Sequence, residues 1–351
     1  MKISDLISQK LIAWYADNQR ILPWRNIHDP YRIWISEIIL QQTRVVQGLE
    51  YYNRFINRFP DVKSLAEAGE QEVLKYWQGL GYYSRARNLH FAAKTILTEH
   101  QGVFPRDYAP VLRLKGIGEY TAAAIVSFAW NEPYPVVDGN VFRFLSRLFA
   151  VDEPIDTGKG KKYFTKLAAE LMDKSQAGLF NQAIMEFGAL HCLPANPNCS
   201  NCPFVSQCLA FSQKAISRYP VKQTKTKTKD LFLYYFHICD AESLFLNQRK
   251  EKGIWQNLFE FPVIESETPL DFTQLSKTKL FNEWFPNNPD YHFRLVIENK
   301  KHVLSHRIIC ADFYCIEMDK LPDSINNLLK IRKIDLNQYP VHRLMEYYLN
   351  G

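Results

Sequence analysis

Apolar residues recur at helical spacing from the N-terminus to about residue 217. Ile7, Leu11, Trp14 and Tyr15 share one stripe of residues 4–18, the spacing of a helix with a single buried face. The loop Leu22-Pro23-Trp24-Arg25 interrupts the pattern, and Asp29-Pro30 then offers a cap followed by proline at the first helical position. This predicts a helix from Tyr31 to Thr43. Further helical periods fall at 49–59, 64–77, 84–98, 107–114, from Glu119 to Ala129, after Asn140, and twice within 161–190. Arg218 to Asp230 alternates Lys with Thr and has no core residue after Val221, so it reads as an exposed linker. Beyond it the texture changes. Leu231–Ile238 and Ser243–Arg249 are short apolar runs bounded by turns, and further strands are predicted at 254–264, 290–298, 302–309 and 311–317. A last helix is predicted from Val341 to Leu349. The expected organisation is an all-α domain over 1–217, a linker over 218–230 and an α+β domain over 231–351.

Length and composition agree with two separate cores. The chain has 351 residues, of which 46% are apolar, enough to bury both. A net charge of +6 permits a polyanionic partner. No secretory leader and no apolar run of about 18 residues is visible, so neither export nor a membrane span is expected. The seven cysteines are odd in number, and four of them fall within 192–208. That is not the layout of a secreted disulfide framework. A reducing cytoplasm and a metal site are expected instead. Cys192, Cys199, Cys202 and Cys208 form one C-x-x-C pair flanked by two single cysteines. Structural zinc usually takes two such pairs, so four-thiolate ligation of an iron–sulfur cluster fits the spacing better, with zinc as the rival.

Two carboxylates stand out. Glu37 has Ile33, Trp34, Leu40 and Gln41 as its helical neighbours. A carboxyl desolvated there would hold its proton and suit a general acid; the alternative is a Glu facing solvent from a buried helix. Asp138 precedes the helical pattern Asn140 to Leu145. It can cap that helix, and a capping carboxylate is also well fixed and readily ionised. Between them lies Gly116-Ile117-Gly118, ahead of the helix led by Glu119. Glycines at a helix start let backbone N–H groups approach an anion such as phosphate. The loop Gln78 to Arg87 adds two glycines, two tyrosines and two arginines, a composition suited to phosphate contact and a wedge between bases or to an ordinary helix–helix turn.

In combination these motifs resemble a known family. Ser36-Glu37-Ile38-Ile39-Leu40-Gln41-Gln42-Thr43, Leu80-Gly81-Tyr82-Tyr83-Ser84-Arg85-Ala86-Arg87, the glycine hairpin, Val137-Asp138-Gly139-Asn140 and the cysteine spacing are similar to those of helix–hairpin–helix DNA glycosylases that carry a 4Fe-4S cluster. Within that superfamily the chain resembles adenine DNA glycosylases of the MutY type. The resemblance implies a helical glycosylase domain with the cluster loop at 192–208, followed by a Nudix-like domain. It implies removal of adenine mispaired with 8-oxoguanine or guanine in duplex DNA, by a monomeric enzyme of the cytoplasm associated with the nucleoid.

The implied roles are specific. Glu37 would protonate adenine and Asp138 would stabilise the oxocarbenium-like sugar, with Tyr120 and Asn140 supporting the pair. Arg20, Leu40 and Glu186 would line the adenine pocket. Gln42, Leu80 and Tyr82 would fill or wedge the base stack, and Gly116 and Gly118 would hold phosphates. Leu304, Ser305 and His306 match the loop with which the family reads 8-oxoguanine; the family often has Phe where this chain has Leu304. The nearest alternative is a pyrimidine-lesion glycosylase and lyase like endonuclease III. Its nucleophilic lysine stands two residues after the second hairpin glycine, where this chain has Tyr120, which cannot form a Schiff base. No Nudix box is present, which leaves the last domain a recognition role.

Overall fold

The computed structural model describes residues 3–223, 228–286, 291–304, 306–319, 321, 325 and 328–350. Its helices run α1 Ile3–Asn18, α2 Pro30–Leu40, α3 Val45–Arg58, α4 Val62–Glu67, α5 Glu70–Trp77, α6 Ser84–Glu99, α7 Tyr108–Arg113, α8 Glu119–Trp130, α9 Gly139–Phe149, α10 Gly158–Leu171 and α11 Ala177–Leu190. Residues 1–67 and 91–224 form one compact unit, and residues 68–90 join 225–351 in the other. Among the described residues no helix is long and apolar enough to cross a membrane.

The first unit is all helix. Ile7, Leu11 and Tyr15 of α1 enter a core with Phe144 and Leu148 of α9, Phe164 of α10 and Phe180, Ile184 and Phe187 of α11. That is the stripe read from the sequence. Helix α2 is capped by Asp29, whose carboxylate accepts from the N–H groups of Tyr31 and Arg32, with Pro30 at its first turn. It ends at Leu40, short of the expected Thr43. Gln42 takes a left-handed φ of 56°, which no helix continues through. The single helix expected over 64–77 is two, α4 and α5, because Gly69 takes an extended conformation and caps the second.

The second unit is built on a mixed sheet. Strands β1 Lys229–Cys239, β2 Ser243–Gln248, β3 Phe259–Glu260, β4 Val263–Ser266, β5 Phe293–Val303, β6 Arg307–Glu317 and β7 Leu329–Arg332 give the order β3-β2-β1-β6-β5, with β4 added to β1 and β7 to β2. Helices α12 Phe272–Leu275, α13 Lys279–Trp284 and α14 Arg343–Asn350 complete it. β1 and β6 are parallel, while β5 and β6 are an antiparallel pair with irregular register between Leu295 and Lys300. The strands expected at 290–298 and 302–309 are therefore redrawn. β5 runs to Val303, and β6 starts at Arg307 and passes through residue 310. The run expected at 254–264 is only the short β3 and the start of β4.

Residues 70–87 are fastened to that sheet domain. Gln78 accepts a hydrogen bond from the Val341 N–H at 3.2 Å and donates to Glu346 Oε1 at 2.9 Å. Tyr83 Oη donates to the Val341 carbonyl at 3.2 Å, and Arg87 to the Gln256 carbonyl at 2.8 Å.

Candidate active site

Helix α2 places Glu37 in the interior of the first unit. Nearly every residue of this helix is buried, and Glu37 itself is 6% exposed. The solvent-facing alternative is therefore excluded. Burial raises its carboxyl from 4.5 to about 7, against a hydrogen bond from Tyr120 and the charge of Arg25, with Asp138 adding to the rise. The Tyr120 hydroxyl thus sits on the Glu37 carboxyl and also feels Asp138.

Asp138 is held differently. It caps α9, with Oδ1 accepting from the N–H groups of Asn140 at 2.9 Å and Val141 at 2.8 Å, and Oδ2 from the Asn140 side-chain amide at 2.7 Å. Burial raises its pKa from the usual value, and these hydrogen bonds with the Arg143 charge act against the rise. Two carboxyls in one cleft thus differ in kind. Glu37 is desolvated with one hydroxyl donor, whereas Asp138 has several donors and the positive end of a helix.

A third carboxylate, Glu186 of α11, is 1% exposed. Arg20 meets it in a fork, Nε to Oε1 at 2.6 Å and Nη2 to Oε2 at 2.7 Å, and Arg25 adds Nη2 at 3.3 Å. Burial would raise Glu186, but the two arginines outweigh it and hold its pKa below the usual value. Two turns of backbone are brought close here by Gly188. A Cβ on it would lie 2.7 Å from both the Cβ and the carbonyl oxygen of Asn140, so only glycine lets α11 approach the start of α9.

Glu37, Tyr120, Asp138, Asn140, Arg20, Leu40, Gln42 and Glu186 line one cleft of about 770 Å³. Gln42 is exposed at its rim. The hairpin has the expected form. Gly116 takes φ 82° between α7 and α8, and Gly118 caps α8; a Cβ built on Gly118 meets nothing within 4 Å. In the second unit, Gly79, Gly81 and Tyr82 have φ of 93°, 72° and 46°, and this tight turn leaves Tyr82 44% exposed while Leu80 is 7% exposed. The turn between β5 and β6 is closed by Leu304 N–H to the Arg307 carbonyl at 2.8 Å. It presents His306 to solvent, with Leu304 half-buried; Ser305 lies outside the described residues.

Cys192, Cys199, Cys202 and Cys208 surround a common cavity, together with Phe144, Arg147, Phe187 and Phe204. Four cysteines lining one cavity can serve as a four-thiolate ligand set. Phe204 N–H donates to Cys202 Sγ at 3.4 Å and Arg147 Nη1 to Cys192 Sγ at 3.5 Å, the kind of donors that favour thiolates.

Two arginines of this region were read only as parts of a loop and a helix. Arg25 bridges Glu186 and Gln182. Arg143 donates to Asn140 Oδ1 at 3.0 Å, to the Gly188 carbonyl at 2.5 Å and to the Cys192 carbonyl at 2.7 Å, and so ties the support of Asp138 to the start of the cysteine loop. Their partners lie far along the chain, so no local pattern marks them.

The chain is similar to known proteins over most of its length. Residues 35–170 match the family described as HhH-GPD superfamily base excision DNA repair protein, and residues 234–351 match the NUDIX domain. An adenine DNA glycosylase of Buchnera aphidicola (subsp. Baizongia pistaciae) is 34% identical over 91% of this chain and 88% of its own length. One of Arabidopsis thaliana is 38% identical over 75% of this chain and 49% of its own length. Among solved structures, a thermostable thymine-DNA glycosylase is similar over 60% of this chain at 26% identity and TM-score 0.56. An endonuclease III–DNA complex, at 20% identity and TM-score 0.53 over 61% of this chain, shares the fold.

Proposed function

Because the chain belongs to the adenine DNA glycosylase family, and is thus a hydrolase of N-glycosyl bonds, we propose that Glu37 and Asp138 divide the cleavage of the adenine–deoxyribose bond between them. The observation that carries this is the buried Glu37 carboxyl, raised to about 7 beside Asp138. At neutral pH such a group holds a proton it can give to the departing base. Asp138, with its donors at the start of α9, supplies negative charge to the sugar as its bond to adenine breaks. Water then completes hydrolysis. Tyr120 keeps Glu37 oriented and offers no amine for a Schiff base, so the product is an unbroken abasic strand.

The substrate is duplex DNA with adenine opposite 8-oxoguanine or guanine. Adenine must leave the stack before reaching Glu37, at a cost of a few kcal/mol. Gln42, Leu80 and Tyr82 are the residues assigned to fill or wedge the base stack; Gln42 and Tyr82 stand on left-handed backbone. Gly118 leaves room for a phosphate at the head of α8. Arg20, Leu40 and Glu186 bound the pocket for the flipped base, and the 304–306 turn reads the opposite base through His306 and Ser305. The four cysteines of the 192–208 loop hold a 4Fe-4S cluster, which when bound supplies a rigid cross-link between the end of α11 and the loop that follows.

The test is a single-turnover assay on a duplex with A opposite 8-oxoguanine, run with and without alkaline workup. Strand breaks should appear only after alkali. Breaks without it, or a covalent adduct trapped by borohydride, would remove the monofunctional reading. A yellow-brown protein as purified, with about four irons per chain, is expected of the cluster.

A further inference from the structure

The second unit holds a cluster of ligand-bearing side chains that base excision does not use. Strands β1 and β6 pair His237 with Cys315 and Cys239 with Glu317. Residues two apart on a strand share a face, and so do directly paired residues. His-X-Cys on β1 therefore lies beside Cys-X-Glu on β6 as a two-by-two patch. Earlier on this face the same strands carry Leu233, Tyr235, Ala311 and Phe313, all buried. The change from core packing to metal-competent side chains comes at the C-terminal ends of both strands.

The geometry is already close to that of a site. Among the described residues, His237, Cys239 and Cys315 are the one group of His, Cys, Asp or Glu whose three ligand atoms lie within 4.8 Å of one another. Cys239 and Cys315 are 3% and 5% exposed. Cys315 Sγ lies 3.9 Å from His237 Nδ1 and 3.8 Å from Glu317 Oε1. Zinc bonds of about 2.3 Å to sulfur and about 2.0 Å to nitrogen set tetrahedral edges near 3.6 Å. The Cys315–His237 pair is within a few tenths of an ångström of that edge, and the trio as a whole within about 1 Å of it. Phe261 stacks on the His237 ring at 4.5 Å and fixes its plane. Tyr348 Oη, 2.9 Å from Nδ1, also hydrogen-bonds the Cys315 thiol, a donor that can turn to a metal-bound thiolate.

We propose that His237, Cys239 and Cys315 bind a zinc ion, with Glu317 or water as the fourth ligand. Binding releases the two thiol protons to solvent, and two thiolates then balance the ion, so the three protein ligands and zinc carry no net charge at a buried position. Thiolate and imidazole together favour zinc over calcium or magnesium, which take oxygen ligands. β1 and β6 are parallel and joined only through the body of the domain. An ion at their ends would pin a register that no turn enforces.

The experiment is elemental analysis of the purified full-length protein by plasma mass spectrometry, before and after incubation with zinc sulfate and desalting. The parent should retain about one zinc per chain beyond its iron. The Cys239→Ser/Cys315→Ser variant should retain at least tenfold less zinc with iron unchanged. Unchanged adenine excision in that variant checks that it folds; if it does not fold, His237→Asn takes its place, with the same zinc loss expected. X-ray absorption at the zinc edge should show two sulfur ligands. Equal zinc in parent and variants, no zinc in the incubated parent, or a Cys239–Cys315 disulfide in peptide mapping would each overturn the assignment.

Discussion

Asn140 grips Asp138 twice, through its backbone N–H to Oδ1 at 2.9 Å and its side-chain amide to Oδ2 at 2.7 Å. Both carboxylate oxygens are thereby fixed by one neighbour, which Arg143 in turn holds. Asp138→Asn keeps the size and capping ability of the residue but removes the negative charge. We expect a folded protein whose single-turnover excision falls on the order of a thousandfold. Asn140→Ala leaves the charge and loosens its position, with an expected loss of about a hundredfold. Loss confined to Asn140→Ala would mean the charge of Asp138 is not used.

Glu37 links activity to stability through pH. Burial raises its carboxyl from 4.5 to about 7, so the folded chain keeps a proton that the unfolded chain releases across that window. Stability therefore falls as pH rises from about 4.5 to about 7, by up to about 3 kcal/mol. Glu37→Gln removes that penalty. The variant should melt higher than the parent at pH 8 and alike at pH 4, while excising adenine at least a hundredfold more slowly and binding the mismatch normally. In the parent, excision should drop about tenfold per pH unit above roughly 7. A flat alkaline profile would take the proton donor away from Glu37.

Gly188 is a test of packing alone. Gly188→Ala places a methyl against Asn140 and should destabilise the first unit by about 1–3 kcal/mol. Excision should fall with it, because the shift is transmitted to Asp138. Thermal melting and single-turnover rates measured on the same preparation check both.

His306 stands exposed on a closed turn. His306→Ala should leave excision opposite guanine near the parental rate and cut the preference for 8-oxoguanine about tenfold, the worth of one hydrogen bond to the lesion. An unchanged ratio removes this turn from recognition.

The sequence was most legible where local chemistry decides. Asp29-Pro30 and Asp138 announced the caps they form, and the α1 stripe named its own core face. It marked Glu37 but left its burial open, because α2 is buried on nearly every side and has no polar face against which a buried carboxyl could be told from an exposed one. Arg25 and Arg143 carry no local signal of their own; their roles depend on Glu186 and Cys192, which periodicity cannot reach. The end of α2 was overrun because Gln41-Gln42-Thr43 are tolerable in a helix, whereas the fold bends the chain through a left-handed Gln42.

The attachment of residues 68–90 to residues 225–351 has a consequence for how the chain is made. Synthesis releases Gln78, Tyr82 and Tyr83 early, yet Gln256, Val341 and Glu346, to which this segment is fastened, emerge from the ribosome late. The turn bearing Tyr82 must therefore wait, without these partners, until translation is nearly finished. A shortened chain ending near residue 224 would never satisfy it, so low activity in such a product would report an unfinished turn as much as the loss of the sheet.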